Sequence, residues 1–297
     1  MKRIFALAFV ALALIGAAPA GAQEKLKVVA SFSILADLVR NVGGARVEVV
    51  SLVGPNGDAH VYAPSPSDAK TLAEAKVVVV NGLGFEGWME RLVKASGAKA
   101  VLVVASRGVK PRKLEEHGHS HAEADPHAWQ SIANAKLYVG NIRDALAKAD
   151  PASAQIYETN ARDYLAKLDA LEAQVKATIA AIAPARRKII TTHDAFGYFG
   201  AAYGMSFIAP QGVATESEAS AKDVARIITQ IKAQKIPAVF LENVTDPRLI
   251  KRIAAETGAR IGGTLFSDAL SDEKGPAPTY IDMMQNNVRQ FSAALAS

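Results

Sequence analysis

The chain has 297 residues, a formal net charge of +5 at pH 7 and no cysteine, and 50% of its residues are hydrophobic. The absence of cysteine excludes a disulfide framework, thiolate metal ligands and a lipid-bearing thiol. The mild positive charge is scattered and forms no basic stripe, which argues against nucleic acid as a partner. The length and apolar content predict one large or two modest domains with substantial cores.

Residues 1–22 have the pattern of a secretory signal peptide. Lys2 and Arg3 precede an apolar run over residues 4–18, and small residues follow up to a predicted cleavage site after Ala22. The run is shorter than the about 20 apolar residues that a spanning helix needs. We therefore expect a soluble mature chain, free in the periplasm and not tethered as a lipoprotein. Its formal charge falls from +5 to +3 because Lys2 and Arg3 are lost.

Hydrophobic runs and amphipathic segments alternate in the first half of the mature chain. Four valine-rich runs predict buried strands: KLKVVASF, VEVVSLV, KVVVVNG and AVLVV. Helical patterns lie between them at Ile34–Val42, Ser67–Ala75 and Glu86–Ala95. This β-α-β-α order predicts a mostly parallel sheet with right-handed crossovers.

One long helical segment follows. Asp150 is a suitable N-cap, Pro151 suits the first helical position, and Pro184 ends the pattern. Apolar residues recur between them at spacings of three and four: Ile156, Tyr164, Leu168, Leu171, Val175, Ile179 and Ile182. The segment of about 33 residues spans roughly 50 Å. A helix broken in two is the alternative, but no internal Pro or Gly favours it. We expect a stiff connection between two lobes.

The second half repeats the alternation of strands and helices. Its predicted strands are KIITT, MSFIA, AVFLENV and ARIGGTLF. Its predicted helices are Ala195–Tyr203, Ala221–Gln234, Pro247–Thr257 and Tyr280–Ala294. No residue-level internal repeat accompanies this similarity of pattern.

The predicted fold class is therefore α/β, with two lobes that each contain a mostly parallel sheet flanked by helices, joined by one long rigid helix. The predicted division is a signal peptide at 1–22, an N-terminal lobe at 23–149, a linker helix at 150–184 and a C-terminal lobe at 185–297.

The six histidines fall into two groups. One group lies in a single polar stretch, and each member of the other stands where a hydrophobic run breaks into a turn. They are His117, His119 and His121 in the stretch, and His60, His127 and His193 at the turns. In a chain without cysteine this pattern favours a transition-metal protein, since neutral imidazole suits Zn, Cu, Fe and Ni. The alternative is a surface tract and three ordinary loop histidines, which for any single residue is the commoner case.

Four residues occupy positions suited to a shared site. His60 follows VEVVSLV through a turn, His193 follows KIITT, and Asp268 follows ARIGGTLFS. His127 lies in the turn DPHAW before the next helix. In open α/β sheets the carboxyl ends of strands form ligand crevices. Three imidazoles and a carboxylate fill a tetrahedral zinc shell, whereas a catalytic zinc keeps one position open. A site with all four ligands is suited to holding metal.

Four segments resemble the metal-specific (cluster A-I) solute-binding proteins of ABC importers. GPNGDAHVYAPSPSD is similar to the D-x-H-x-Y-x-P-x-P-x-D segment of that family, and DPHAWQS, TTHDAFGYFG and FSDALS resemble its other three ligand segments. The resemblance covers essentially the whole mature chain. It implies two lobes joined by a rigid helix, and a metal in the cleft that is handed to an inner-membrane permease with its ATPase. The implied ligands are His60, His127, His193 and Asp268.

The third ligand position separates branches of that family. Glu there accompanies manganese or iron and His accompanies zinc, so His193 implies the zinc branch and Zn²⁺ as transported ligand. We also expect a monomer. The chemistry agrees, because imidazole makes the site softer than a carboxylate does. Ala59 stands where some zinc members carry Glu, and the His-rich tract is reduced to HGHSHAEAD.

Three alternatives stay open. The first is a manganese- or iron-binding protein of the same transporter class. The second is a secreted zinc hydrolase, although the chain has no HExxH segment and no obvious nucleophile elbow. The third is a surface adhesin, against which the missing lipid-bearing cysteine counts. We do not expect an enzyme.

Other polar and aromatic residues are assigned supporting roles. Glu242 either orients a ligand imidazole or is a helix-terminal or hinge carboxylate. Asp58 and Asp68 are expected to cap turns and helices. Five aromatic residues are expected to pack around the cleft: Phe85, Trp88, Trp129, Phe196 and Tyr198.

Overall fold

Two separate parallel sheets of four strands each organise the protein, as a computed structural model describes it for residues 24–113, 124–216 and 218–295. The first sheet contains β1 Leu26–Phe32, β2 Val47–Val53, β3 Val77–Val80 and β4 Val101–Val104. The second contains β5 Lys188–Ile190, β6 Ser206–Ile208, β7 Ala238–Glu242 and β8 Arg260–Leu265. Each strand lies within a run that the sequence predicts, so the two-lobed α/β fold is confirmed.

Both sheets have the same topology, although the residues show no repeat. The strand orders are β2-β1-β3-β4 and β6-β5-β7-β8, with every pairing parallel. In each order the chain leaves its first strand in one direction and later returns to the other side of that strand. The point of reversal lies between β1 and β3 in the first sheet and between β5 and β7 in the second. Ligand crevices form at such points, beyond the carboxyl ends of the strands.

Four helices accompany the first sheet: α1 Ser33–Gly43, α2 Pro66–Glu74, α3 Met89–Ser96 and α4 Ile132–Ala149. Helix α1 is buried on nearly all sides, since Ile34, Leu35 and Leu38 are all fully buried. Ser65 and Asp68 form a reciprocal capping box at the start of α2. Asp68 therefore has the capping role that the sequence predicts.

The long connecting helix, α5, covers Ala154–Ala180. It follows a short 3-10 turn at Pro151–Ser153 and ends before Pro184, so it is shorter than expected. Its 27 residues span about 40 Å. Ala183 has an extended backbone, because the residue before a proline is excluded from the helical region. The helix must therefore end upstream of Pro184.

Helix α5 is built into the core and does not stand free between the lobes. Its buried residues recur at three and four positions: Tyr157, Ala161, Tyr164, Leu168, Leu171, Val175 and Ile179. This face packs against α1 and α4 of the first lobe and against the C-terminal helix, α9 (Tyr280–Leu295), of the second. The side chain of Arg187 donates hydrogen bonds to the carbonyls of Ala180 and Ile182, which satisfies the end of α5.

Four helices accompany the second sheet: α6 Gly197–Tyr203, α7 Ala221–Gln234, α8 Arg248–Thr257 and α9 Tyr280–Leu295. A small separate core joins α7 and α8 to this sheet, whereas α9 belongs to the main core shared by both lobes. Within the described ranges, no helix has the length and apolarity to cross a membrane. The predicted signal peptide at 1–22 lies outside the described residues.

Hydrogen bonds between the lobes fix the first turns of α1 to the second half of the chain. Ser33 Oγ accepts from the backbone N–H of Leu270 at 2.9 Å, and the carbonyl of Leu270 accepts from Asn56 N–H at 2.8 Å. The carboxylate of Asp37 accepts from the N–H of Tyr280, the first residue of α9, at 2.9 Å. A carboxylate at a helix N-terminus is favourable, so Asp37 joins one lobe to the first turn of the other.

The pH dependence of stability should report this Asp37 contact. Burial, which the bond from Tyr280 only partly offsets, raises the pKa of Asp37 from 3.8 to about 6. Between these values the folded state binds more protons than the unfolded state, so this contribution to stability is lost as pH rises through that window. Asn cannot ionise, so Asp37→Asn should not show this loss. Relative to wild type, its free energy of unfolding should therefore rise by about 3 kcal/mol between pH 4 and pH 7, measured by urea unfolding of the metal-free protein.

The exposed Asp163 on α5 provides the control for this measurement, since its side chain is 60% exposed. Asp163→Asn should leave the pH profile of the free energy of unfolding unchanged. If wild type and Asp37→Asn have parallel profiles, Asp37 does not keep its proton in the folded state.

Candidate metal centre

The four predicted ligand residues come from loops at the carboxyl ends of the strands and from one turn before a helix. His60 lies in the loop after β2, His193 follows β5, and Asp268 follows β8. His127 directly precedes a short 3-10 helix that leads into α4. The loops after β2 and β8 therefore face each other across the boundary between the lobes.

The structure brings all four of these side chains together. Nε2 of His193 lies 3.0 Å and Nε2 of His60 lies 3.4 Å from Oδ2 of Asp268. Nε2 of His127 lies 3.6 Å from Oδ1 of the same carboxylate and 3.3 Å from Nε2 of His60. All four ligand atoms lie within 4.8 Å of one another. Three imidazole nitrogens thus surround one carboxylate, at separations that a single metal ion can bridge.

The four residues are buried, and two of them have strongly shifted acidities. Burial alone lowers the pKa of His193, but the carboxylates of Glu242 and Asp268 outweigh it and raise this pKa well above its usual range. Burial likewise opposes ionisation of Asp268, but His193 and His127 hold its pKa well below its usual range. Both shifts favour an imidazolium–carboxylate pair at the centre when no metal is bound.

Glu242 orients His193 from behind. Its Oε2 lies 2.5 Å from Nδ1 of His193, and its Oε1 accepts from the N–H groups of Thr192 and His193 at 2.6 and 3.0 Å. Nε2 is therefore the nitrogen that faces Asp268. Of the two roles that the sequence leaves open for Glu242, the structure supports the orienting one. Such carboxylate partners fix the ring of a ligand histidine and raise its basicity.

Asp125 supports His127 in the same way, and it is not among the residues predicted from the sequence. Its Oδ1 lies 2.9 Å from Nδ1 of His127 and accepts the N–H of the same residue at 3.0 Å. Its Oδ2 accepts from Arg112 Nη1 at 3.1 Å. The only local signal is an acidic residue two positions before a histidine, in the segment DPH.

A second buried polar group, also missed, holds the backbone next to His127. Asn81, at the end of β3, donates from Nδ2 to the carbonyl of Pro126 at 2.9 Å. Glu86 accepts from the N–H of Asn81 and from Ser31 Oγ, each at 2.6 Å. Burial, against these hydrogen bonds, raises the pKa of Glu86. The point of reversal in the first sheet thus positions His127, although it supplies no ligand.

His60 is held through its backbone. Asp58 Oδ1 accepts the N–H of His60 at 2.9 Å, and Asp58 Oδ2 accepts from Thr215 Oγ1 of the other lobe at 2.6 Å. The predicted turn-capping role of Asp58 is therefore confirmed. The ring of Phe85 meets that of His60 edge to face, with centroids 4.6 Å apart.

The predicted aromatic residues serve packing and positioning. Trp129 lies 5.3 Å from His127 between ring centroids, and its Nε1 donates to the carbonyl of Ser267, beside Asp268, at 2.9 Å. Trp88 donates to the carbonyl of Ala59 at 2.8 Å. Phe196 is further out and stacks on Phe207. No cage of stacked rings surrounds the centre within the described residues.

The donor set is suited to one metal ion. Three imidazole nitrogens and a carboxylate oxygen complete a tetrahedral shell and leave no position for a reacting water. No other group of three or more His, Asp or Glu side chains with this spacing occurs in the part of the chain that the structure describes. His117, His119 and His121 lie outside the described residues.

Comparison with known proteins matches residues 28–294 to the protein family described as ZnuA, zinc-uptake complex component A, periplasmic. The chain is 35% identical over 305 aligned positions to the manganese-binding lipoprotein MntA of Halalkalibacterium halodurans, which covers 100% of both chains. It is 34% identical over 270 residues to the iron-binding protein YfeA of Yersinia pestis, which covers 91% of this chain and 86% of that protein. The structure of the periplasmic zinc-binding protein TroA from Treponema pallidum matches with a TM-score of 0.87 and 31% identity, over 92% of this chain and 100% of the other.

Metal binding at this centre should release protons, because a metal ion binds the neutral form of an imidazole. We expect release of about one proton per metal ion at pH 7. The apparent metal affinity should fall as pH falls, because protons compete with the metal ion for the imidazole of His193, whose pKa is raised. Titration with Zn²⁺ in dilute buffer with a pH indicator measures the number of protons released.

Glu242→Gln is the comparison variant, since it removes the largest charge that raises the pKa of His193. It should release fewer protons per zinc ion than wild type. Equal proton release from both proteins would show that His193 is not protonated in the metal-free centre.

Proposed function

We propose that this chain, which belongs to the ZnuA family of periplasmic metal-binding components of ABC importers, captures Zn²⁺ between its lobes for delivery to an inner-membrane permease and its ATPase. The observation that carries the proposal is the convergence of His60, His127, His193 and Asp268 within 4.8 Å. We infer that these four residues are the metal ligands.

The donor atoms support zinc over manganese or iron. Three of the four are imidazole nitrogens, which are softer than the carboxylate and carbonyl oxygens that suit manganese. The relatives point in several directions, because their names contain manganese, iron and zinc. A manganese- or iron-binding protein of the same class is the second candidate, and these names are the observation that favours it.

A binding role fits the centre better than catalysis does. A catalytic zinc needs an open position for water, and here Asp268 is fully buried among the three imidazoles. Asp268 would have to leave the shell before a zinc hydrolase could form. The family consists of solute-binding proteins, which supports the same conclusion.

We further propose that the protein acts as a free periplasmic monomer after cleavage behind Ala22. The absence of cysteine supports this, because some relatives are named lipoproteins and this chain has no thiol to carry a lipid. The proposed division stays as the sequence predicts it, with lobes at 23–149 and 185–297 and a linker at 150–184.

Metal preference is tested by native mass spectrometry with equal concentrations of Zn²⁺, Mn²⁺ and Fe²⁺. We expect the wild type to hold one zinc ion. His193→Glu should lower the zinc-to-manganese affinity ratio, because an oxygen donor replaces a borderline-soft nitrogen donor. Replacing His60 with Ala should weaken zinc binding more than it changes the stability of the metal-free fold.

His119→Ala is the matched control, since it removes an imidazole from the His-rich tract, outside the inferred ligand set. It should leave the tight zinc site unchanged. An unaltered metal ratio in His193→Glu would exclude His193 from the ligand set, and a preference of the wild type for manganese would favour the second candidate.

A further inference from the structure

His127 and His193 each have a supporting carboxylate at Nδ1, and these two carboxylates have different partners of their own. Asp125, behind His127, is fully buried and paired with the guanidinium of Arg112 at 3.1 Å. Glu242, behind His193, accepts only backbone N–H groups on its other oxygen. Among the described residues no Lys or Arg nitrogen lies within 4.0 Å of Glu242, whereas Arg112 neutralises Asp125 directly.

We propose that Arg112 weakens metal binding and so makes the bound ion easier to release, because it compensates the charge of Asp125 behind His127. This inference rests on the proposed function and deepens it. A negative charge hydrogen-bonded to a ligand imidazole increases the donor strength of the ring and attracts the cation directly. A fixed positive charge on the far side of that carboxylate, such as the guanidinium of Arg112 beside Asp125, reduces both effects. A carrier must give up its ion, and Arg112 lowers the affinity without altering the ligands.

The pairing is built across the boundary between the lobes. Tyr198 of α6 accepts from the N–H of Arg112 at 2.9 Å and donates to the carbonyl of Asp125 at 3.1 Å. The N–H of Asp125 donates to the carbonyl of Arg112 at 2.9 Å. Arg112 and Asp125 are thus locked together through their backbones as well as their side chains, so the guanidinium has a defined position behind His127.

A glycine makes room for the guanidinium. A Cβ atom at Gly197, the first residue of α6, would lie 2.1 Å from Nη1 of Arg112 and 2.6 Å from Oδ2 of Asp125. Any other residue at 197 would displace the guanidinium, the carboxylate or both. The site for Arg112 therefore involves residues of both lobes.

The test compares zinc affinity, by chelator competition, and zinc release rate, by stopped-flow transfer to a chelator. Arg112→Gln should bind Zn²⁺ roughly tenfold more tightly and release it more slowly, because it removes a positive charge near the centre. Arg112→Lys keeps the charge and should stay close to wild type. Arg107→Gln, an equal charge change on an exposed residue of the same segment, should have no effect. Unchanged or weaker binding by Arg112→Gln overturns the proposal.

Arg112→Met tests the same contact with an uncharged side chain of similar length that leaves Asp125 in place. It should also tighten zinc binding, and it decides the question alone if Arg112→Gln does not fold; unchanged or weaker binding overturns the proposal. His127→Ala, measured in parallel, separates the two levels of inference. If it binds zinc as wild type does, the proposed site fails and the role of Arg112 fails with it. If it loses affinity while Arg112→Gln does not gain any, only the role of Arg112 is wrong.

Discussion

The buried carboxylate of Asp268 is the group on which the arrangement of the two lobes depends. It is fully buried, and a buried charge without partners is costly. Its partners are three imidazoles, of which His60 and His127 come from the first half of the chain and His193 from the second. Two of its three partners are therefore within reach only when the loops beyond both sheets meet at the same point. The orientation of the two lobes and the assembly of the site therefore depend on each other.

The contacts between the lobes serve this meeting point directly. The carbonyl of Ser267, next to Asp268, accepts hydrogen bonds from Trp129 and from Gln130 Nε2, both just after His127. The backbone on each side of the centre is thus fixed to the other lobe. Further away, the bond from Leu270 to Ser33 and the α5 core hold the same orientation. A wide separation of the lobes would break all of these contacts together.

The sequence predicts the sheets and the four clustered residues for the same physical reason. Buried parallel strands give continuous valine-rich runs, and side chains just beyond their carboxyl ends gather at one edge. His193 and Asp268 could therefore be placed from a run and the turn after it. The length of α5 was overestimated, because Pro184 marks where a helix is no longer possible and not where it ends. The identical strand order of the two sheets has no counterpart in residue similarity, since topology constrains which segments are apolar and not which residues fill them.

The supporting groups around the centre were harder to predict, for a reason that also explains their chemistry. Glu242 ends a strand and so could be suspected, but Asp125 and Asn81 reach His127 from a turn and from a different strand. A supporting group needs only one hydrogen bond at the right angle, which any nearby element can supply, so its position in the chain follows no period. Three of the four clustered residues instead lie in segments that follow strands, where the sequence pattern gives their place. The four clustered residues could therefore be predicted from the sequence, whereas the groups that support them become visible only in the folded chain.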